Sequence, residues 1–289
     1  MILRHPVFRI ALRIAVALAL LGVALLLYAY WEAAYRAPIV RRAEVALADW
    51  PKGAKPVTVL LVSDTHVAGP DMPPDKLVRL VEQLNYLKPD LVLLAGDYIS
   101  HKTFATRTYP IADAVRPLTH FKAPLGVVAV LGNHDYWAGG AAFEKAIRAT
   151  DITLLSNEAV RRGPLIIAGL GDQFSGHAEL TRTGSALAAM GSGPRLLLTH
   201  APDPARMIGF RVDAILAGHT HCGQIDLPFI GMPASDGHGF AWLPCGRVDV
   251  NGTPMFVGVP GLEQASCRFA LARRATCGSF ASAQNLRPA

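Results

Sequence analysis

Five short polar patches, four of which directly follow an apolar run typical of a buried strand, constrain the fold of this chain more than any other feature. In order, they are Asp64-Thr65-His66, Gly96-Asp97, Gly132-Asn133-His134-Asp135, His200 and Gly218-His219-Thr220-His221. Parallel strands bring their carboxyl ends to one edge of a sheet, so side chains distant in sequence meet there. Carboxylate, amide and imidazole groups are ligands for divalent cations. The pattern therefore predicts a metal site along one sheet edge, with enough ligands for two ions.

The remaining sequence alternates short apolar runs with helical patterns, which indicates βαβ units and an α/β fold. The predicted strands cover residues 57–62, 91–95, 127–131, 152–155, 165–170, 195–199, 214–217 and 255–259. The predicted helices cover residues 75–87, 111–118, 141–149 and 180–190. Roughly 235 residues remain once an amino-terminal segment is set aside, which is enough for one large domain with a substantial core.

An uncharged segment, residues 14–30, ends in a cluster of Tyr28, Tyr30 and Trp31. As a helix it would be about 25 Å long, a little short of the ~30 Å hydrocarbon core of a bilayer. Aromatic side chains of this kind suit the membrane interface. The sequence therefore predicts a retained membrane anchor. The alternative is a cleaved signal peptide, but the small-residue pattern at residues 46–48 lies far downstream of the apolar run.

The positive charge is concentrated near the predicted anchor. The formal net charge is +6, yet residues 1–55 hold eight basic and three acidic residues, against 20 and 19 in the rest of the chain. Basic flanks suit anionic lipid head groups, so a nucleic-acid partner is not expected. Three arginines flank the apolar segment on each side, so their count gives no orientation. The short basic stretch before it is typical of a signal anchor, which favours a catalytic domain outside the cytoplasm at a bacterial-type inner membrane.

These features divide the chain into four segments. They are an anchor (1–31), a proline-containing connector (32–56), a catalytic domain (57–262) and a basic tail rich in Ala and Ser without a strand pattern (263–289). The four cysteines are Cys222, Cys245, Cys267 and Cys277. They form no C-x-x-C pair, so a zinc knuckle is not expected, while two disulfides and reduced buried thiols both remain compatible with the sequence.

The order D-x-H, G-D, G-N-H-D, H and G-H-x-H resembles the signature of the calcineurin-like metallophosphoesterases, over about residues 57–261. The anchor and the stretch 218–228 are similar to the membrane-anchored branch of that family around the bacterial YkuE and YaeI proteins. The resemblance implies a four-layer αββα sandwich. Some relatives in that branch hydrolyse UDP-2,3-diacylglucosamine, a lipid A precursor.

The resemblance also implies a ligand set for two divalent metal ions. One ion would take Asp64, His66, Asp97 and His221, and the other would take Asp97, Asn133, His200 and His219. Asp97 would therefore bridge the two ions, because a carboxylate has two oxygens. Mixed nitrogen and oxygen ligands without thiolate favour Mn²⁺, with Fe or Zn²⁺ as alternatives, and disfavour Ca²⁺.

Two further residues of the G-N-H-D patch are the expected catalytic residues. His134 is not a ligand in the family pattern and would stabilise the transition state or protonate the leaving oxygen. Asp135 would hold the imidazole of His134 by a hydrogen bond. His101 and His177 lie on predicted loops and are candidates for substrate contact.

We therefore expect a membrane-anchored, dinuclear metal-dependent phosphoesterase that cleaves a phosphodiester or pyrophosphate in an amphipathic substrate. UDP-2,3-diacylglucosamine is the first candidate, although a cytoplasmic lipid A step would need the domain inside the cell. A protein phosphatase and a nucleotide phosphodiesterase are alternatives with the same core. A metal-bound membrane scaffold is the non-enzymatic alternative, and the complete His134-Asp135 pair argues against it.

Overall fold

The structure is a computed structural model that describes residues 6–35, 40–100, 105–221, 246–258 and 280–283. His101 and the four cysteines lie outside the described residues, so the predictions made for them stay predictions.

The described part of the chain consists of helices and strands that alternate along the sequence. The helices are α1 (Pro6–Tyr35), α2 (Pro74–Asn85), α3 (Ile111–Val115), α4 (Asn133–Trp137), α5 (Gly140–Arg148) and α6 (Leu180–Ala189), with 3-10 turns at Arg116–His120 and Asp203–Arg206. The strands are β1 (Arg41–Ala43), β2 (Val59–Val62), β3 (Leu91–Leu94), β4 (Val127–Ala129), β5 (Thr153–Leu154), β6 (Glu158–Arg162), β7 (Leu165–Gly169), β8 (Arg195–Leu198), β9 (Ala214–Ala217), β10 (Gly246–Val250), β11 (Thr253–Val257) and β12 (Phe280–Ala283).

These strands form two sheets within the described residues. The first has the order β1-β12-β2-β3-β4-β5, and the second has the order β10-β11-β9-β8-β7-β6. The strands β2 to β5 are parallel, as are β7, β8, β9 and β11. The outer strands β6 and β10 pair antiparallel with their neighbours.

The two sheets pack face to face, because alternate residues of each central strand enter different cores. On β2, Val59 and Leu61 lie in the core between the sheets, whereas Leu60 and Val62 pack under the helices. A third core of apolar residues covers the other face of the second sheet beneath α6. Strands buried on both faces need continuous apolar sequence, which explains the runs of Val and Leu. The predicted four-layer αββα sandwich is thereby confirmed.

Several elements differ from the sequence-based prediction. The helix predicted over residues 111–118 is divided into α3 and a 3-10 turn that contains Pro117 near its start, where the ring removes a backbone donor. The strands β6 and β10 were not predicted, because they are partly exposed edge strands that carry charged residues. The carboxy-terminal tail, predicted to lack a strand, supplies β12, which lies between β1 and β2 in the first sheet.

Part of the predicted connector packs against the catalytic domain. Val45, Leu47 and Trp50 are buried in the core between the two sheets. The Trp50 indole N–H donates to the carbonyl of Ala54, 3.3 Å away. Residues 45–50 of the predicted connector are therefore part of the packed fold.

The helix α1 is apolar around its circumference and contacts the rest of the fold little. Residues Pro6–Tyr28 have a mean hydropathy of 2.7, and none of that span is buried. By length and composition it is the one helix among the described residues that could cross a membrane, a test that a signal sequence also passes.

Candidate metal centre

The predicted ligands lie at the carboxyl ends of five central strands. Asp64 and His66 follow β2, Asp97 follows β3, Asn133 follows β4, His200 follows β8, and His219 and His221 follow β9. The strands β2, β3 and β4 end level with one another, since Val62 pairs with Leu94 and Leu94 with Ala129. This alignment brings segments more than 150 residues apart to one point.

One group of potential ligands contains Asp64, His66, Asp97 and His221. His66 Nε2 lies 3.1 Å from His221 Nε2 and 3.5 Å from Asp97 Oδ2. His221 Nε2 lies 3.5 Å from Asp64 Oδ1. The imidazole nitrogens and carboxylate oxygens therefore converge on one small volume.

The second group contains Asp97, His200 and His219, and the side-chain oxygen of Asn133 lies beside His200. His200 Nε2 lies 3.3 Å from Asp97 Oδ2, 3.0 Å from Asn133 Oδ1 and 3.0 Å from His219 Nδ1. The structure thus brings together all seven residues predicted as ligands, in the two sets predicted.

The atom that joins the two groups is a single oxygen of Asp97. Asp97 Oδ2 faces His66 on one side and His200 on the other. Its other oxygen, Oδ1, accepts a hydrogen bond of 2.9 Å from the backbone N–H of His134. The carboxylate is therefore held in orientation by the main chain and presents one oxygen between the groups.

These separations fit divalent transition metals. Ligand atoms bound to one ion at about 2.1 Å, with angles near those of a tetrahedron or octahedron, lie about 3.0–3.4 Å apart. The separations of 3.0 to 3.5 Å between His200, Asn133, His219 and Asp97, and between His66, His221 and Asp97, are of that size. All the donors among these residues are nitrogen or oxygen. The set therefore fits two divalent ions such as Mn²⁺, Fe²⁺ or Zn²⁺.

Five of the seven ligand residues have a left-handed backbone conformation. The φ angles are 54° at Asp64, 42° at His66, 56° at Asp97, 70° at His219 and 47° at His221. Non-glycine residues seldom adopt this region because the Cβ atom crowds the backbone. The main chain at the strand ends is therefore bent into a strained form that turns each side chain towards the site.

Two glycines permit the close approach of the loops after β3 and β4. A Cβ atom on Gly132 would overlap Asp97 Oδ1 and lie 2.8 Å from His200 Cε1. Gly96 has a φ of 88°, and a Cβ atom there would lie 2.5 Å from the backbone nitrogen of Gly132. Both positions accept only glycine without displacement of the loops that carry the ligands.

The environment of His200 sets both its tautomer and its charge. Its Nδ1–H donates to the carbonyl of Ala95, 2.7 Å away, so Nε2 is the nitrogen that faces the other ligands. Burial lowers the pKa of His200, but the charge and hydrogen bond of Asp97 outweigh it and raise the pKa to about 10. The same partnership holds the pKa of Asp97 well below its usual range, against the effect of burial. Without metal, the two form an ion pair.

Two further imidazoles of the site, on His66 and His219, are neutral. Burial lowers the pKa of His66 well below its usual value, although Asp97 acts in the opposite direction. Burial and the neighbouring His200 lower the pKa of His219 to about 3. Neutral imidazoles are the form that binds metal, so these two histidines need no deprotonation on metal binding.

Asp135 does not have the predicted role of holding the His134 imidazole. Its Oδ2 accepts hydrogen bonds from the backbone N–H groups of Asp97 and Gly132, at 2.8 and 2.9 Å, and Oδ1 accepts from Tyr98 at 2.8 Å. Asp135 is the third residue of the short helix α4, so its side chain folds back towards the amino-terminal end of that helix. Burial and Asp97 raise its pKa to about 8, while the donated amide hydrogens act to lower it. Asp135 therefore joins the loop after β3 to the loop after β4, and both loops carry predicted metal ligands.

His134 lies beside the metal groups without belonging to either. Its ring packs edge-on against His66, with centroids 4.8 Å apart. It is half-buried on α4, three residues before Trp137, whose ring lies 5.0 Å away. Phe174, on the loop after β7, contacts both Trp137 and His219. Trp137 and Phe174 were not predicted as site residues. Trp137 lies three residues after His134, a spacing that brings side chains together only where the segment is helical, and α4 was not predicted.

His177 lies on the same loop as Phe174. Its ring stacks on Tyr136 at a centroid distance of 3.8 Å, and its Nδ1 lies 3.0 Å from Ser175 Oγ. It is exposed, so its predicted contact with substrate stays a prediction.

Sequence comparisons agree with this geometry. Residues 57–223 match the family described as calcineurin-like phosphoesterase. An uncharacterized metallophosphoesterase of Helicobacter pylori is 30% identical over 226 residues, covering 75% of this chain and 57% of that protein. YkuE of Bacillus subtilis, also named an uncharacterized metallophosphoesterase, is 33% identical over 63% of this chain and 64% of its own length. A transmembrane protein with metallophosphoesterase domain from Bos taurus is 30% identical over 65% of this chain and 45% of its own.

The chain belongs to the calcineurin-like phosphoesterase family. Its fold is that of a metallophosphoesterase, a class of metal-dependent hydrolases of phosphoric esters, and two groups of its residues could hold metal ions. The predicted family resemblance is therefore confirmed. The chain spans about half the length of the curated relatives it matches. The apolar helix α1 and the relatives named as transmembrane proteins together support association with a membrane.

Proposed function

We propose that this protein is a membrane-anchored phosphoesterase with two metal ions, which hydrolyses a phosphodiester or pyrophosphate bond in an amphipathic substrate. The observation that carries the proposal is the shared oxygen Asp97 Oδ2, which faces both ligand groups. Two divalent ions bound there would supply an activated water and positive charge beside the phosphate. Mn²⁺ is our first choice, because every ligand is a nitrogen or oxygen donor.

The protein contributes orientation and a proton. Its ligands lie at the ends of rigid strands, so the phosphate would be fixed relative to α4. His134 is half-buried next to His66 and outside both ligand groups, which suits a residue that donates a proton to the leaving oxygen. Asp97 accepts the backbone N–H of His134, so the expected acid and the bridging ligand are placed relative to one another.

The position of the anchor supports an amphipathic substrate. Six Cα-to-Cα steps separate Tyr35, at the end of α1, from Arg41, at the start of β1. A chain of that length reaches at most about 20 Å. The catalytic domain is therefore held within a short distance of the helix that would enter the bilayer.

UDP-2,3-diacylglucosamine is the first candidate substrate on the cytoplasmic side. We propose an extracytoplasmic domain from the signal-anchor pattern, and on that side another amphipathic phosphodiester would be the substrate. Measurement of the membrane topology decides between them. The probe is a cysteine introduced at exposed Tyr86 in a variant whose four native cysteines are replaced by serine. Its labelling by a membrane-impermeant maleimide in intact cells would show an extracytoplasmic domain, and protection until the cells are opened would show a cytoplasmic one.

The direct test is turnover by the full-length protein in detergent with Mn²⁺. A phosphomonoester, bis-p-nitrophenyl phosphate and UDP-2,3-diacylglucosamine should be compared under one condition. We expect hydrolysis of the diester or the pyrophosphate in preference to the monoester. Absence of metal-dependent hydrolysis of all three would favour the metal-bound scaffold.

The acid role of His134 has its own test. His134→Ala should retain two bound metals and lose about 10²–10⁴-fold in turnover of an alkyl ester. The loss should be much smaller for p-nitrophenyl esters, because that leaving group needs little protonation. His120→Ala removes an exposed imidazole and is the control. Equal losses for good and poor leaving groups would assign His134 to stabilisation of the phosphate instead.

A further inference from the structure

A continuous series of ring contacts connects the two ligand groups across the solvent side of the metal centre. His66 contacts His134 at a centroid distance of 4.8 Å, and His134 contacts Trp137 at 5.0 Å. Trp137 contacts Phe174 at 5.9 Å, and Phe174 contacts His219 at 5.2 Å. The series begins on a residue of the first group and ends on a residue of the second.

The two central members of this series are exposed. Trp137 is 55% exposed and Phe174 is 36% exposed. Among the described residues outside α1, the only other large apolar side chains with comparable exposure are those of Tyr86 and Met207. Clustered exposed apolar surface marks a binding site, whereas isolated residues of this kind are ordinary. The clustered pair is the one beside the metal ligands.

We propose that Trp137 and Phe174 form a specificity subsite for a planar aromatic ring that the substrate carries close to the reacting phosphate. The inference deepens the proposed phosphoesterase function and rests on it. Since Trp137 contacts His134, the proposed proton donor to the leaving oxygen, the ring belongs to the leaving group.

The composition of the subsite favours a planar ring over an acyl chain. Both exposed side chains are aromatic, and their planes meet at 65°. A third ring can stack on the face of one side chain and present its edge to the other, which is the geometry that aromatic groups prefer. Of the described residues outside α1, no Leu, Ile or Val is among the exposed large hydrophobics that would line a groove for an acyl chain.

Binding of non-hydrolysable phosphonates tests the subsite without reference to turnover. Benzylphosphonate and cyclohexylmethylphosphonate have similar size and apolar character, but only the first is planar. Their affinities should be measured by calorimetry on full-length, Mn²⁺-loaded protein in detergent. We expect benzylphosphonate to bind about three- to tenfold more tightly.

Variants assign that preference to the subsite. Trp137→Leu and Phe174→Leu should each bring the affinity ratio close to one, and Trp137→Phe should retain most of it. Tyr86→Leu removes an exposed aromatic side chain from α2's carboxyl end and should leave the ratio unchanged. A second pair of ligands, uridine 5′-monophosphate and ribose 5-phosphate, identifies the source of the ring. A Trp137-dependent preference for the uridine compound indicates a nucleobase, and a preference for benzylphosphonate alone indicates an aryl ester.

The outcomes separate failure of the subsite from failure of the function. A wild-type ratio of one, or a ratio that Trp137→Leu does not change, overturns the ring subsite while the phosphoesterase proposal stands. Equal gains for both phosphonates over methylphosphonate, both lost in Trp137→Leu, would also overturn it, because the surface would then accept any apolar group. If no phosphonate binds to the metal-loaded protein, the subsite fails, and turnover of the diester and the pyrophosphate decides the proposed function separately.

Discussion

Asp97 is the residue on which both halves of the metal centre depend. Its Oδ2 atom faces His66 and His200, and its Oδ1 atom is fixed by the backbone of His134. The sequence and its family resemblance predicted that this carboxylate would be shared between two ions, because a carboxylate has two oxygens. They did not predict that one oxygen would be shared, since that depends on the loop that carries His134.

Replacement of the shared carboxylate should remove both metals. We expect Asp97→Ala to lower the metal content from two equivalents towards zero. His66→Ala should mainly weaken the binding of one ion, by more than the 10–100-fold typical of residues that contact a ligand but not the metal. Elemental analysis of the purified variants measures this directly. Glu82→Ala, which removes an exposed carboxylate from α2, is the control. Two full equivalents of metal in Asp97→Ala would contradict the bridging assignment.

The charge of His200 makes metal binding dependent on pH. Its pKa of about 10 in the metal-free protein lies above neutral pH, so the imidazole is protonated there and must lose that proton to bind metal. Metal affinity should therefore rise with pH until about pH 10.

Calorimetric titration with Mn²⁺ measures the proton directly, in buffers that differ in ionisation enthalpy. The wild-type protein should release about one proton more than His200→Asn at pH 7.5. Equal release by the two proteins would show that His200 is neutral before metal binds.

At the scale of single elements, the loops after β3 and β4 act as one unit. Asp135 accepts the backbone N–H groups of Gly132, Asp97 and Tyr98, so it joins the first turn of α4 to the loop that carries Asp97. The strands that carry the ligands were predicted to within two residues, because doubly buried strands have a plain apolar signature. The short helix α4 and the role of Asp135 were not predicted, because they depend on contacts between loops distant in sequence.

Loss of the Asp135 carboxylate should destabilise the fold. Asp135→Ala leaves three buried N–H groups without their acceptor, at a cost of about 1–3 kcal/mol each. We expect the free energy of unfolding of the metal-free protein to fall by about 3 kcal/mol or more, measured by urea denaturation. Asp113→Ala is a matched control, because Asp113 is also the third residue of a five-residue helix, α3, and is not fully buried. A change no larger than that of the control would show that Asp135 is dispensable to the loops.

At the scale of the whole molecule, the chain between the anchor and the catalytic domain is part of the fold. The strand β1 belongs to the first sheet, and Val45, Leu47 and Trp50 lie in the core between the sheets. The sequence predicted the anchor from a plain apolar run. It gave no comparable signal for β1 or β12, because segments of three and four residues have too little periodicity to distinguish them from loops.

The position of a truncation should therefore decide whether the domain stays folded. A chain that begins at Val40 should be soluble and bind two metals. A chain that begins at Pro56 loses the buried side chains of Val45, Leu47 and Trp50, each of which contributes about 1.5–3 kcal/mol, and should unfold at lower urea concentration.

Full-length protein should remain with membranes in high salt and alkaline carbonate, because apolar burial holds a spanning helix. Release by salt alone, or equal stability of the two truncated chains, would contradict this arrangement.

The left-handed backbone at five of the ligands has a consequence for how this protein can be altered. Each such residue costs on the order of 1–3 kcal/mol, so together they oppose folding by an amount comparable to the net stability of a whole domain. Glycine at His66 or His221 would relieve that cost and remove a ligand in the same step. Selection of variants for heat resistance alone should therefore find some of its easiest gains at these positions, and the survivors should be robust proteins that no longer hold metal. Screens for more durable forms of this protein need metal content as a second criterion.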